Sequence, residues 1–279
     1  MKKEKPLQYI NSPLNNPMLN YKVYIMGKFE SFIVKFVSFV IGGLVGLVFF
    51  SGLFKKDDHA TTATYIADVV VFVIFGFCAI RFLQNIYLER AINKRRNTIK
   101  SQFRDMLESL SASISTGSNV NFAFEAALND LKMEYDENDF IVIEMKEIMD
   151  GLAQNIPLET MLRNFAERSG NEDIECFAEV FEICYKKGGD LRTVIRRTNT
   201  VISNKMATAD EIDTKLTSNK LQHNVMSLSP IAVIAMLKLN SPSFAENFAT
   251  PIGVLINLIA IVIFIGAYKY GQKIVDIKE

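Results

Sequence analysis

Tryptophan is missing from this chain, histidine occurs twice and cysteine three times in 279 residues. Cys78 falls in an apolar stretch, and Cys176 and Cys184 share one helical segment without Cys-x-x-Cys or histidine spacing. They make no disulfide framework and no zinc site, and are expected to be reduced, buried core residues. His59 and His223 stand alone, one in a polar loop and one at a membrane edge. Without tryptophan, Tyr and Phe must supply any interfacial aromatics. Charge is balanced, 31 Lys+Arg against 31 Asp+Glu, so net charge gives no sign of nucleic acid. His-Glu-x-x-His, Gly-x-Ser-x-Gly and Walker sequences are absent. Glu144, Glu147 and Asp150 are spaced three apart and read as one solvated helix face, not a catalytic dyad. The chain reads as a non-enzyme with no cofactor, no metal site and no nucleic-acid partner.

Apolar length is abundant. Residues 32–54 and 61–81 near the N-terminus, and 223–238 and 250–269 near the C-terminus, read as four membrane spans. Gly42, Gly43 and Gly46 share one side of the first span, where small residues let another helix approach closely. Asp68 lies inside the second span, near enough to its boundary to be hydrated. The third span is the weakest, and its Pro230 predicts a kink. Residues 1–31, with Pro6, Pro13, Pro17 and several Asn, read as a flexible tail, and no cleaved signal is expected. Residues 270–279 form a short second tail.

Lysine and arginine set the orientation. Lys2, Lys3, Lys5, Lys22 and Lys28 precede the first span, and Lys269, Lys273 and Lys278 follow the fourth. A basic collar of Arg81, Arg90, Lys94, Arg95, Arg96, Lys100 and Arg104 follows the second. The two hairpin loops hold only Lys55, Lys56 and Lys238. Both termini and the central domain are therefore expected in the cytoplasm. Beyond the collar, from Asp105 to Gln222, acidic side chains outnumber basic ones by 22 to 12. A basic collar beside an acidic domain suits contact with anionic lipid, and equally suits a solvated charge run.

Residues 82–222 carry helical periodicity throughout. Phe103, Met106, Leu107, Leu110 and Ile114 recur at helix spacing and stop at Gly117; five further amphipathic segments follow. The expected fold class is an all-α membrane protein, four transmembrane helices flanking a cytoplasmic six-helix bundle. One joint recurs three times. Gly117, Asn155 and Gly188 each tolerate a left-handed backbone that closes a helix, and Asn119, Pro157 and Asp190 two positions later suit the start of the next. Gly189 lies within the third corner. The product is a tight helix–turn–helix corner, and no phosphate-binding loop is implied.

These features together resemble the inner-membrane platform proteins of type II secretion and type IV pilus machines. The likeness is greatest to the TadB and TadC proteins of the tight-adherence (Flp) pilus branch. The resemblance rests on the corner from Ser115 to Leu128, the segment Glu144 to Leu162 followed by Ala166 to Arg168, and Gly188-Gly189-Asp190-Leu191. It extends to Thr250-Pro251-Ile252-Gly253, an apolar span and a basic tail. The chain departs from the family in having Asn155 where glycine is common, and in holding one helical domain where the larger platforms hold two.

The resemblance implies a T2SSF-like domain that touches a hexameric ATPase, while the membrane part receives pilin subunits and a second platform protein. It implies that Glu125, Glu144 and Glu147, with Arg192, Arg196 and Arg197, meet the ATPase. Arg168 fixes a local ion pair, the corners stiffen the domain, and the glycine face and Pro230 contact pilin or another platform subunit. A small transporter or channel subunit using Asp68, and a membrane-tethered helical scaffold, remain as alternatives. A transporter needs polar groups along several spans, and the first and fourth have almost none.

Overall fold

The computed structural model describes residues 7–51, 62–241 and 250–275, together with residue 247. Among the described residues the chain is all-α apart from one short antiparallel hairpin, β1 (Tyr9–Asn11) paired with β2 (Pro17–Leu19) in the register Ile10 to Met18. The helices are α1 (Lys28–Phe50), α2 (Thr62–Ser115), α3 (Val120–Glu134), α4 (Phe140–Ala153), α5 (Leu158–Ser169), α6 (Glu172–Lys187), α7 (Leu191–Asn240) and α8 (Pro251–Val275). They divide into two units. The first holds residues up to Ile25 with Leu88–Ala209, and the second Met26–Tyr87 with Asp210 onward, so α2 and α7 contribute to both.

The core of the first unit is built from residues one helical turn apart. Phe103, Met106, Leu107 and Leu110 of α2 are fully buried with Phe124 of α3, Ile141 and Met145 of α4, Phe165 of α5, Phe177 and Phe181 of α6, and Ile195 of α7. Phe103 packs edge-on to Phe177 at 5.4 Å and Phe124 edge-on to Phe181 at 6.1 Å, geometries that favour aromatic pairs. Local chemistry sets the corners. Gly117, Asn155 and Gly188 have φ of 91°, 61° and 73°, and Gly170 closes α5 at 61°. The Asn119, Asn171 and Asp190 side chains accept from the backbone N–H two or three residues on, satisfying helix-start donors. In α6, Glu172, Asp173 and Glu175 open the helix and Lys186 and Lys187 close it, complementing its dipole.

The N-terminal segment is not the loose tail that its prolines and asparagines predict. Residues 7–25 belong to the first unit, and Tyr21, only 1 % exposed, joins its core. Asn15 takes a left-handed φ of 61° in the β1–β2 turn, a conformation asparagine accepts at low cost.

In the second unit, α1 and α2 pack antiparallel through the glycine face. A Cβ on Gly42 would lie 2.3 Å from the Ala79 Cβ, and one on Gly46 would lie 2.7 Å from the Phe75 Cβ. Near the start of α1, Tyr87 Oη donates to Glu30 Oε1 at 2.7 Å. The α7–α8 pair is antiparallel too: His223 stacks on Tyr268 at 5.5 Å, and Gly271 lies against the same imidazole. Lys238 Nζ donates to the carbonyls of Phe49 and Ser51 at 3.2 and 3.3 Å, capping the C-terminus of α1 within electrostatic reach of Asp68.

Among the described residues three helices are long and apolar enough to cross a membrane: α1, α2 and the stretch Ile252–Gly271 of α8. Residues 223–238 are not among them. They are the C-terminal half of α7, diluted by Asn224, Ser227 and Ser229 and carrying Pro230 inside the helix. The first apolar helix starts at Lys28 rather than at residue 32. Residues 52–54 of the expected first span lie outside the described residues.

Candidate functional site

The six charged residues expected to meet a partner separate into two groups. Glu144 and Glu147 are interior, 1 % and 7 % exposed. Arg168, 2 % exposed, grips Glu144 with a two-pronged pair: Nη1 donates to Oε1 and Nη2 to Oε2, each at 2.6 Å. Tyr21 Oη donates to Glu144 Oε1 at 3.0 Å. Arg168 Nε donates to Asn164 Oδ1 at 2.8 Å and Nη1 also to the Leu19 carbonyl at 3.1 Å. The Tyr21 N–H donates to the Arg168 carbonyl, and its ring stands edge-on to Phe140 at 5.4 Å. One turn along α4, Glu147 accepts from Ser12 Oγ at 2.5 Å and from Asn16 Nδ2 at 3.0 Å.

The acidic face of α4 is therefore the seat of the N-terminal strap. This corrects the expectation that Glu144 and Glu147 face solvent and an ATPase. The signal was present in the sequence: Glu144 falls three residues after Ile141 and four before Ile148, inside the apolar stripe. Burial raises the Glu144 carboxyl above the ordinary glutamate range, against the opposing pull of the Arg168 guanidinium and the Tyr21 hydroxyl. Burial and the Glu144 charge push the Tyr21 hydroxyl well up as well, keeping it a neutral donor. The arrangement can hold the strap against α4 and α5.

The second group is at the surface. Glu125 on α3 and Arg192, Arg196 and Arg197 in the first two turns of α7 are exposed. Among the described residues none of the four is in an ion pair, although Arg192 lies near enough to Asp190 to help hold its carboxyl low. Gly117 and Gly188 leave open space where a side chain would go, while Gly189 packs on Cys184. Asp190 is held below the ordinary aspartate range by the hydrogen bonds of Thr193.

The basic collar is partly spent within the chain. Arg95 lies 4.3 Å over the Tyr24 ring, Arg96 donates to the Gly170 carbonyl, and Lys100 pairs with Asp173 at 3.2 Å. Arg81, Arg90 and Lys94 are exposed. The cysteine expectation is corrected: Cys78 and Cys176 are exposed and Cys184 is half-buried. They lie on outward helix flanks, beside the stripes that form the cores. Gly42, Gly43 and Gly46 are covered by α2 of the same chain, which leaves that face no room for pilin. Among the described residues no group of His, Cys, Asp and Glu is arranged to hold a metal ion.

Asp173 ties three helices, taking Lys100 of α2 at 3.2 Å and Lys205 of α7 at 2.6 Å from its place in α6. Burial alone would raise its carboxyl, but the hydrogen bonds and charges of Lys205 and Lys100 outweigh burial and hold it low. A depressed carboxyl stabilises the fold above its unfolded value of about 3.9, and that contribution is lost as pH falls through the folded value. Asp173→Asn is thus expected to lower stability at pH 7 and to flatten the acid limb below about pH 4. Urea midpoints measured from pH 3 to pH 7 for the two proteins check this, and parallel curves would refute it.

No family model, no curated protein and no solved structure matches this chain.

Proposed function

We propose that this chain is an inner-membrane platform protein of a type II secretion or tight-adherence pilus machine, coupling a hexameric ATPase in the cytoplasm to pilin extraction and fibre assembly. The observation that carries the reading is the layout. In chain order, one helical domain with left-handed corners at Gly117, Asn155 and Gly188 follows two apolar, membrane-length helices, α1 and the first part of α2, and precedes a third in α8. The domain packs a closed apolar core, as suits a part that passes on movement made elsewhere.

A fourth span at residues 223–238 belongs to this proposal. What supports it is packing: His223 lies on Tyr268 and Gly271 of α8, and Lys238 caps α1. Segments laid along two membrane-length helices share their depth, and a proline is tolerated in a span where neighbouring helices satisfy the freed carbonyl. Both termini and the first unit then lie in the cytoplasm, under the lysine and arginine rule. With Glu144 and Glu147 inside the fold, the ATPase contact falls to Arg192, Arg196 and Arg197, with Glu125 a further exposed charge.

The test is co-purification of the full chain with a candidate secretion-type ATPase from the same genome. Reversing Arg192, Arg196 and Arg197 to Glu is expected to reduce capture at least tenfold and to leave the thermal midpoint of the platform unchanged. Capture equal to wild type would remove the arginines from the interface. A genome with no such ATPase and no short prepilins beside this chain would remove the function.

A further inference from the structure

Along the outer side of α6 the first unit carries a stripe of exposed side chains one helical turn apart, Cys176, Val180 and Ile183. Towards α7 the stripe opens into a groove of about 350 Å³, where Val180 faces Val194 and Val201 and Arg197 stands in the α7 wall. On its other side the stripe is bordered by Glu179, which lines the cleft between α5 and α6. Glu179 and Arg197 are exposed, and among the described residues neither is in an ion pair. Asp173, the acid of the groove, is engaged by Lys100 and Lys205. The face is therefore an apolar strip with one unpaired carboxylate on one flank and one unpaired guanidinium on the other.

The two charges are also level with each other. α6 and α7 run antiparallel from the corner at Gly189, and Asp173 and Lys205, each sixteen positions from that glycine, pair at 2.6 Å. Residues equally far from Gly189 thus lie side by side. That register sets Arg197 beside Phe181, about 3 Å along the axis from Glu179 at a helical rise of about 1.5 Å per residue. A partner of one charge would satisfy one flank and oppose the other. The complement of this face is a similar strip with its two charges exchanged. A two-fold rotation about an axis parallel to α6 and α7 exchanges them, so the face is its own complement. With the axis over Val180, each Arg197 meets Glu179 of the second copy, the two Val180 side chains meet each other, and Ile183 leaves water.

We propose that the outer face of α6, with the adjoining groove, is the contact between two copies of this chain, an isologous pair closed by two Arg197–Glu179 bridges around Val180. The pair stands apart from the platform reading and needs no ATPase. It also divides the arginines assigned above. Arg197 turns to the second copy, while helix spacing puts Arg192 and Arg196 on the opposite flank of α7, where they stay open to an ATPase.

The test is crosslinking of the full Cys78→Ser/Cys184→Ala chain in native membranes with a short bismaleimide, which within this chain can join only Cys176 to Cys176. The crosslinked dimer is expected as the main product. Arg197→Glu and Glu179→Arg, each alone, set like charges against each other at both bridges. Each is expected to lower the dimer yield by about fivefold or more and to leave the thermal midpoint unmoved. Co-expression of the two variants under different tags restores an acid opposite a base at both bridges, and the mixed dimer is expected to crosslink as fully as the parent. Neither misfolding nor chance collision produces that recovery. Absence of a Cys176 dimer, single reversals with undiminished yield, or a loss that co-expression does not restore overturns the proposal, and each of these results leaves the platform reading standing.

Discussion

Replacing Arg168 with methionine is expected to destabilise the first unit by about 3–5 kcal/mol, the usual cost of stranding one half of a buried ion pair. Glu144 would keep its buried position with only the Tyr21 hydroxyl as donor. The Leu19 carbonyl would lose the guanidinium as well, so the strap loosens together with α4 and α5. Arg168→Lys should fall between the two, because an ammonium cannot make the parallel pair of 2.6 Å bonds. A triple variant, Arg168→Met with Glu144→Leu and Tyr21→Phe, removes the ion pair and its tyrosine donor at once, leaving only Asn164 and the Leu19 carbonyl without the guanidinium. It is expected to recover to within about 1–2 kcal/mol of the parent, since apolar residues of similar volume often replace a buried ion pair without loss. Urea unfolding of the full chain in detergent, followed by tyrosine absorbance, separates these cases. A single variant as stable as the parent would mean that Glu144 is solvated and the strap detached.

The periodic parts of the fold were legible in the sequence for a local reason. Phe103, Met106, Leu107 and Leu110 lie on one face of any helix they form, so the core stripe of α2 follows from spacing alone. The corners were legible because Gly117, Asn155 and Gly188 act on their own backbone. The strap was not. Strands of three residues are too short to show alternation, and the contacts of Ser12 and Asn16 with Glu147 span more than 130 positions. One sequence holds no record of pairings that distant. Glu144 was misread because acids three apart mark a helix face without saying which way it turns. The apolar neighbours Ile141 and Ile148 carried that information and outweigh the charge, provided that a buried arginine answers it. The glycine face of α1 was legible as a close contact, but its occupant was not, since Ala79, Gly76 and Phe75 of α2 are unremarkable in sequence. Residues 223–238 read as a weak span from their apolar residues, but polar side chains such as Asn224, Ser227 and Ser229 keep them from being apolar enough to count among the membrane-length helices.

Gly42→Val is expected to lower the thermal midpoint of the full chain in detergent by about 2–10 °C, as overpacking by roughly 1–3 kcal/mol would do in a chain of this size. Lipid tails are as apolar as the helix surfaces, so association of α1 with α2 depends on close packing instead of escape from water. At Gly42 the obstacle is partly backbone: an added Cβ would lie 2.7 Å from the Phe75 carbonyl oxygen, which cannot rotate aside. At Gly43 the obstacle is the Phe72 ring, 2.3 Å away but attached through a rotatable bond, so Gly43→Ala should cost less. Gly266 in α8 has open space at the same position, and Gly266→Val should stay within about 0.5 kcal/mol of the parent. The comparison matters because any glycine-to-valine change alters helix propensity; only the close approach differs between positions 42 and 266. Equal shifts at the two sites would assign the effect to propensity and leave the glycine face without a packing role.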